Sequence, residues 1–256
     1  MRIFIAPEHI QRQHDIKVPA DKAHYIISVL RSRVGDPIEI IDGRGKAFEA
    51  IITGITRRDV VVDLRRELPA NAESPAYLVL CQGMLKGEKM DLVVQKATEL
   101  GTKEIIPLIT ERCIVRATRK VQRWSTIAEE AAEQCGRAFI PIVHEPEELN
   151  SWLMAHSSSQ LKGFIFWEEG GVPLREAFQK VSDYLILPST HSPIHLIIGP
   201  EGGLTAAEIK SAEARGLIRT SLGSRTLRAE TAAIVSMALV QFLVENREKL
   251  PVTNGQ

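Results

Sequence analysis

Two hydrophobic rhythms divide the chain. Residues 1 to about 68 carry short apolar runs broken by turn residues. Ile38 to Ile41 is followed by Asp42-Gly43-Arg44-Gly45, then Ala47 to Thr53, Gly54, and the β-branched run Val60 to Leu64. Short alternating runs with glycine and aspartate between them predict strands joined by tight turns, and a small β-barrel is the natural way to close them. One helix interrupts the strands. Asp21 is placed to cap it, and Tyr25, Ile26, Val29 and Leu30 recur at helical spacing. Glu67 to Pro75 has two prolines and no periodicity, the composition of a linker. The expected boundary therefore separates a domain over 1–70 from one over 76–250.

From Ala76 strand and helix alternate. Tyr77 to Cys81 reads as a buried strand, and Met90, Val93, Val94, Ala97 and Leu100 share one face of a helix that Gly101 ends. Ile105 to Ile109, Phe164 to Trp167, Ile194 to Ile198 and Leu217 to Leu222 read as further strands. Helices are expected near Lys120 to Cys135, after the capping box Thr205-Ala206-Ala207-Glu208 with Gly216 closing it, and over Ala229 to Glu245. Repeated βα units imply a mostly parallel sheet covered on both faces.

Composition adds exclusions. Hydrophobic residues at 44% and charged residues at 25% are an ordinary globular balance. The longest apolar stretch, Ala232 to Val244, contains Ser236 and Gln241 and is too short for a bilayer helix. The amino terminus has no apolar run of secretory length, so a cytoplasmic protein is expected. Cys81, Cys113 and Cys135 are scattered, which suits small buried hydrophobes and argues against disulfides or structural zinc. The formal charge sums to zero, but basic residues cluster. Arg112, Arg116, Arg119, Lys120 and Arg123 stand with no acidic residue between them, and Arg57, Arg58, Arg65 and Arg66 flank Val60 to Val62. RNA binding is permitted, not required.

In open α/β sheets ligands sit beyond the carboxyl ends of strands. Gly199-Pro200-Glu201-Gly202-Gly203 follows the strand ending at Ile198 and precedes the capping box. Such glycine density lets backbone approach a ligand closely. Neither GxGxxG nor GxxxxGK[ST] is present, and Glu201 would repel phosphate. A carboxylate in this loop suits a cation, such as the sulfonium of S-adenosylmethionine. A second loop, Gly223-Ser224-Arg225-Thr226-Leu227-Arg228, follows Leu222 and precedes a helix. Leu227 would wall an adenine pocket and Arg228 would place a positive charge beside it.

Ile197 to Thr205 and Leu222 to Ala232 closely resemble the carboxy-terminal motifs of the bacterial 16S rRNA uridine-N3-methyltransferases, a family of the SPOUT class. Gln95-Lys96-Ala97-Thr98-Glu99-Leu100-Gly101 and Ala131-Ala132-Glu133-Gln134-Cys135-Gly136-Arg137 resemble the same family. Val29-Leu30-Arg31 followed by Val34-Gly35-Asp36 is similar to its PUA-like RNA-binding barrel. The likeness spans nearly the whole chain. Cys113 and Cys135 depart from it, standing where the family commonly has serine.

The resemblance implies a parallel α/β sheet tied in a deep trefoil knot, preceded by a PUA-like barrel. It implies a homodimer that binds S-adenosylmethionine bent in the knot, largely through backbone groups; the lack of metal-ligand spacing in the sequence adds the expectation that no metal is required. The implied partner is 16S ribosomal RNA in the small subunit, and the target is N3 of a uridine, uridine 1498 in reference rRNA numbering. Ile198, Gly199, Glu201, Gly203, Leu222, Gly223, Leu227, Arg228 and Thr231 are the expected cofactor residues. Arg228 is the candidate for stabilising charge on uracil, and Glu201 for base or donor contact. Arg31, Arg33, Arg57 and Arg58 on the barrel, Arg112 and Arg116 in the basic run, and Lys96, Gln134 and Arg137 are the expected RNA contacts. The competing readings are an RNA-binding or ribosome-assembly protein without catalysis, a methyltransferase of the same class acting on another RNA position, and a nucleotide-dependent α/β enzyme.

Overall fold

Alternating isoleucines and valines pack the first strands onto one core. In the computed structural model, which describes residues 1–10, 13–69, 73–157, 160–182 and 193–246, these strands are β1 (Arg2–Phe4), β2 (Ile16–Lys17), β3 (Pro37–Ile41), β4 (Ala47–Ile55) and β5 (Val60–Leu68). Their order is β1-β3-β4-β5-β2, parallel between β1 and β3 and antiparallel elsewhere. Ile3, Ile16, Ile38, Ile40, Ile52 and Val62, with Ala23 and Ile26 from the helical segment, share one buried cluster. Each isoleucine or valine side chain taken from water is worth roughly 1.5–3 kcal/mol. The β3–β4 turn is held by Asp42, whose Oδ1 accepts from the backbone N–H of Arg44 (2.8 Å) and Lys46 (2.9 Å).

The helix in this part departs from expectation. An α-helical turn, α1 (Ala20–His24), widens into a π-helical turn over Tyr25–Val29, with Leu30 N–H donating to the Tyr25 carbonyl five residues back. Asp21 lies inside the first turn and caps nothing; Pro19 holds the cap position without a side-chain bond. The wider turn buries Ile26 alone, and Tyr25, Val29 and Leu30 are 47%, 60% and 40% exposed.

The chain divides into two compact units, Met1–Glu73 with Glu129–Ile140, and Ser74–Ala128 with Pro141–Gln256. The later segment is bound into the first unit by buried polar contacts. Glu133 accepts from Phe4 N–H and from Lys22, both at 2.8 Å. Part of the expected linker is structured: Glu67 and Leu68 complete β5, and Glu73 accepts from Arg137 (2.9 Å) and from Phe139 N–H (3.0 Å). Its residues 70–72 lie outside the described ones.

The second unit is an all-parallel sheet. Its strands are β6 (Leu78–Gly83), β7 (Glu104–Ile109), β8 (Ile142–Val143), β9 (Glu147–Glu148), β10 (Gly163–Phe166), β11 (Val172–Pro173), β12 (Ile194–Ile198) and β13 (Ile218–Ser221). The order is β11-β13-β10-β12-β6-β7-β8, with β9 also paired to β7. Every residue of β6, β10 and β12 is buried, as continuous apolar runs covered on both faces require. The helices are α2 (Lys89–Glu99), α3 (Val121–Cys135), α4 (Leu149–Ala155), α5 (Leu174–Ser182), α6 (Ala206–Glu213) and α7 (Ala229–Glu245). Of α3, residues 129–135 group with the first unit. The capping box at Thr205 forms in both directions with Glu208.

Candidate functional site

Neighbouring strands β13, β10, β12 and β6 end on one edge, so the loops that follow them converge whatever their separation in sequence. A cavity of about 370 Å3 opens there, inside the range of roughly 300–1,000 Å3 typical of small-molecule sites. The loop after β12 approaches β6 because Gly83 has no side chain: a Cβ there would lie 2.5 Å from Pro200 N. Gln82 Nε2 then donates to the Gly83 and Gly199 carbonyls at 2.9 and 3.2 Å, fixing the loop's entry. At its far side Gly203 takes φ +72°, a conformation glycine tolerates best.

The lining is mixed. Phe166, Ile198, Leu222 and Leu227 offer apolar surface. Glu168, Glu201 and Glu230 supply carboxylates, and Lys89, Arg225 and Arg228 supply cations. Lys89 Nζ lies 3.1 Å from Glu201 Oε1 and 3.6 Å from Glu230 Oε2. Burial opposes ionisation of Glu201, but hydrogen bonds from Lys86 N–H, from its own N–H and from Lys89 outweigh it and hold its pKa below the ordinary carboxylate value. The two carboxylates raise the pKa of Lys89 against its desolvation, the Glu201 hydrogen bond foremost. Arg228 holds the N-cap position of α7 and makes no ion pair among the described residues. Two lining residues also present buried polar atoms without a hydrogen-bond partner, Trp167 Nε1 and Glu230 Oε2. Apolar walls, exposed loop backbone, free donors and fixed carboxylates suit a flat heteroaromatic ligand bearing a positive charge.

Ile198, Gly199, Glu201, Gly203, Leu222, Gly223, Leu227 and Arg228 all line the cavity. Thr231 does not; it is exposed on the first turn of α7. Sequence reading omitted Lys89, Phe166 at the end of β10, and Trp167 and Glu168 after it, because only strand order, which periodicity does not encode, sets β10 between β12 and β13.

The expected RNA contacts separate. Arg31, Arg33, Arg57 and Arg58 are exposed and make no ion pair among the described residues. Arg31 sits at φ +52°, unusual for a side-chain-bearing residue. Arg112 is exposed and donates to the Gly202 carbonyl at 3.2 Å, and Arg116 donates to the Glu111 carbonyl at 3.0 Å. Lys96 is engaged by Glu99 at 2.7 Å, and Gln134 is exposed. Arg137 requires correction. It lies beyond the end of α3, so it shares no helical face with Gln134. It is also only 2% exposed and ion-paired to Glu73 at 2.9 Å. Its charge is spent inside the first unit and is not available to RNA.

Residues 72–241 match the RNA methyltransferase domain family, and residues 18–65 match the RNA methyltransferase PUA domain family. The chain is 32% identical over 251 residues to ribosomal RNA small subunit methyltransferase E of Rickettsia conorii, covering 97% of this chain and 98% of that one. The crystal structure of the protein of the same name from Neisseria gonorrhoeae, bound to S-adenosylmethionine, superposes with a TM-score of 0.82 at 32% identity, covering 94% and 97%. A Legionella pneumophila methyltransferase structure in complex with S-adenosylmethionine gives 0.79 at 33% identity, covering 94% and 96%.

Proposed function

The chain belongs to the RNA methyltransferase family with an amino-terminal PUA domain, and on that premise we propose that it methylates N3 of a uridine in 16S ribosomal RNA with S-adenosylmethionine as donor. The observation that carries this reading is one cavity walled by the glycine loop after β12 and the Arg228 loop after β13.

S-adenosylmethionine, when bound, supplies an electrophilic methyl group on a sulfonium centre. Phe166, Ile198, Leu222 and Leu227 would enclose the adenine, and the backbone of Gly199 to Gly203 would meet its polar edge. Glu201 orders the glycine loop through Lys86 N–H and Lys89. An ionised carboxylate so well paired is a weak proton acceptor, which favours donor contact over general base for Glu201. Arg228, at the positive end of the 17-residue helix α7, stabilises negative charge on the uracil oxygens. This eases loss of the imide proton to water and makes N3 the nucleophile. N3 lies on the base-pairing edge, so the uridine is unpaired or extruded when it reacts.

In the same reading Arg31, Arg33, Arg57 and Arg58 of the first unit hold RNA phosphates, and the protein works in the cytoplasm as a homodimer. On α7, Val235, Ala238, Leu239 and Phe242 recur at i, i+3, i+4 and i+7; Leu239 and Phe242 are 41% and 56% exposed. That apolar stripe supports a two-fold contact. The insertion of β12 between β6 and β10 is read as the threaded part of the trefoil knot.

The test is methylation of small subunits from a strain lacking this activity, with the modified nucleoside mapped by mass spectrometry. N3-methyluridine at a single 16S position is expected. A methyl group on another base or atom would overturn the assignment.

A further inference from the structure

Glu168 follows β10 and is the third carboxylate lining the cavity. Its situation differs from that of the other two. Glu201 and Glu230 share Lys89, whereas Glu168 has no ion pair or hydrogen bond among the described residues. Its carboxylate is seated against the glycine loop, where a Cβ on Gly203 would overlap its Oε1. Gly203 thus serves two ends: it accepts φ +72°, and by lacking a side chain it leaves room for a bare negative charge at the cavity wall.

We infer that Glu168 reads the charge of the methyl donor, favouring the sulfonium over the neutral thioether left after transfer. The inference rests on the S-adenosylmethionine reading above. On transfer the S–CH3 bond breaks and its electron pair stays on sulfur, the methyl joins N3, and the N3 proton leaves to water. The donor then carries one positive charge fewer. Glu201 and Glu230 both stand beside the Lys89 ammonium, which offsets part of their charge. Glu168 has no cation beside it among the described residues, and to it we assign the response to this loss. Attraction that helped load the cofactor is withdrawn once the reaction has occurred, and the product leaves more readily than the donor.

Titration calorimetry on the full chain, with S-adenosylmethionine and separately with S-adenosylhomocysteine, tests this without reference to turnover. Glu168→Gln should weaken the first by about fivefold or more, the worth of one contact between charges in a largely solvated site. The second should change by less than about twofold. The difference should shrink in high salt. Glu169→Gln, altering the adjacent exposed carboxylate outside the cavity lining, should leave both affinities as they are. Unchanged donor affinity in Glu168→Gln would overturn the inference. So would an equal loss for both ligands, which would assign Glu168 to atoms they share. A wild-type chain that bound neither ligand would overturn the donor reading itself.

Discussion

Lys89 stands between Glu201 and Glu230, 3.1 Å from the first and 3.6 Å from the second, so one ammonium joins the glycine loop to the first turn of α7. The two loops that wall the cavity are therefore tied together by a side chain from a third element, α2.

Lys89→Met should release both carboxylates and loosen the cavity without unfolding the sheet. Lys89 is only partly buried, so the cost falls on positioning more than on stability. The expected result is a KM for donor raised by about tenfold with a smaller fall in kcat, since binding geometry is lost before chemistry. Lys89→Arg should restore much of the loss. A kcat that collapsed while KM held, with no rescue by arginine, would make Lys89 a participant in the chemistry.

Arg228→Ala and the barrel arginines should fail in different ways. Arg228→Ala should bind donor and RNA yet transfer the methyl group on the order of a hundredfold more slowly in single-turnover assays, the usual effect of losing one transition-state charge partner. Arg31→Ala with Arg33→Ala should weaken RNA binding and lower the magnitude of the salt slope by roughly one unit per lost phosphate contact. Normal turnover by Arg228→Ala at saturation, or slowed chemistry at unchanged affinity in the double variant, would reverse the assignments.

Arg137→Ala should act on stability. It strips the buried partner from Glu73, and breaking a buried ion pair costs about 3–5 kcal/mol. Urea unfolding should show the shift. A variant of unchanged stability that lost RNA affinity would return Arg137 to the RNA contacts.

Acid sensitivity should trace in part to His195. Burial within β12 pushes its pKa down to about 4, opposed by its bond to the Lys162 carbonyl, with His156 lowering and Glu104 raising it. The unfolded chain takes up a proton near pH 6.5 that the folded chain refuses. The contribution is therefore constant above that pH, and stability falls as pH drops from 6.5 through 4. The slope approaches 1.4 kcal/mol per unit at most. His195→Gln should flatten melting temperature against pH over this window. A slope identical to wild type would assign the sensitivity elsewhere.

The parallel sheet was legible because β6, β7, β10 and β12 are apolar runs that are buried on both faces. The capping box at Thr205 was legible because its partners stand three residues apart. Both cavity loops could be found for the same reason: each is a local motif at the end of a strand. What could not be read is long-range. Lys89 and Glu168 reach the cavity only through strand order. The π-turn turns Tyr25, Val29 and Leu30 outward although their spacing is that of a buried α-helical face. Arg137 is expected among the RNA contacts, and only its neighbour Glu73, 64 residues away, makes it interior.

The segment 129–140 bears on how this protein could be cut and recombined. Glu133 and Arg137 satisfy Lys22, the Phe4 amide and Glu73, yet they are encoded after the strands of the other unit begin. A fragment ending near residue 69 would carry every strand of the first sheet and lack those partners, leaving a half-buried ammonium and a backbone donor stranded. The first unit is not a cassette. Transplanting it onto another enzyme would require grafting two separated stretches of chain together.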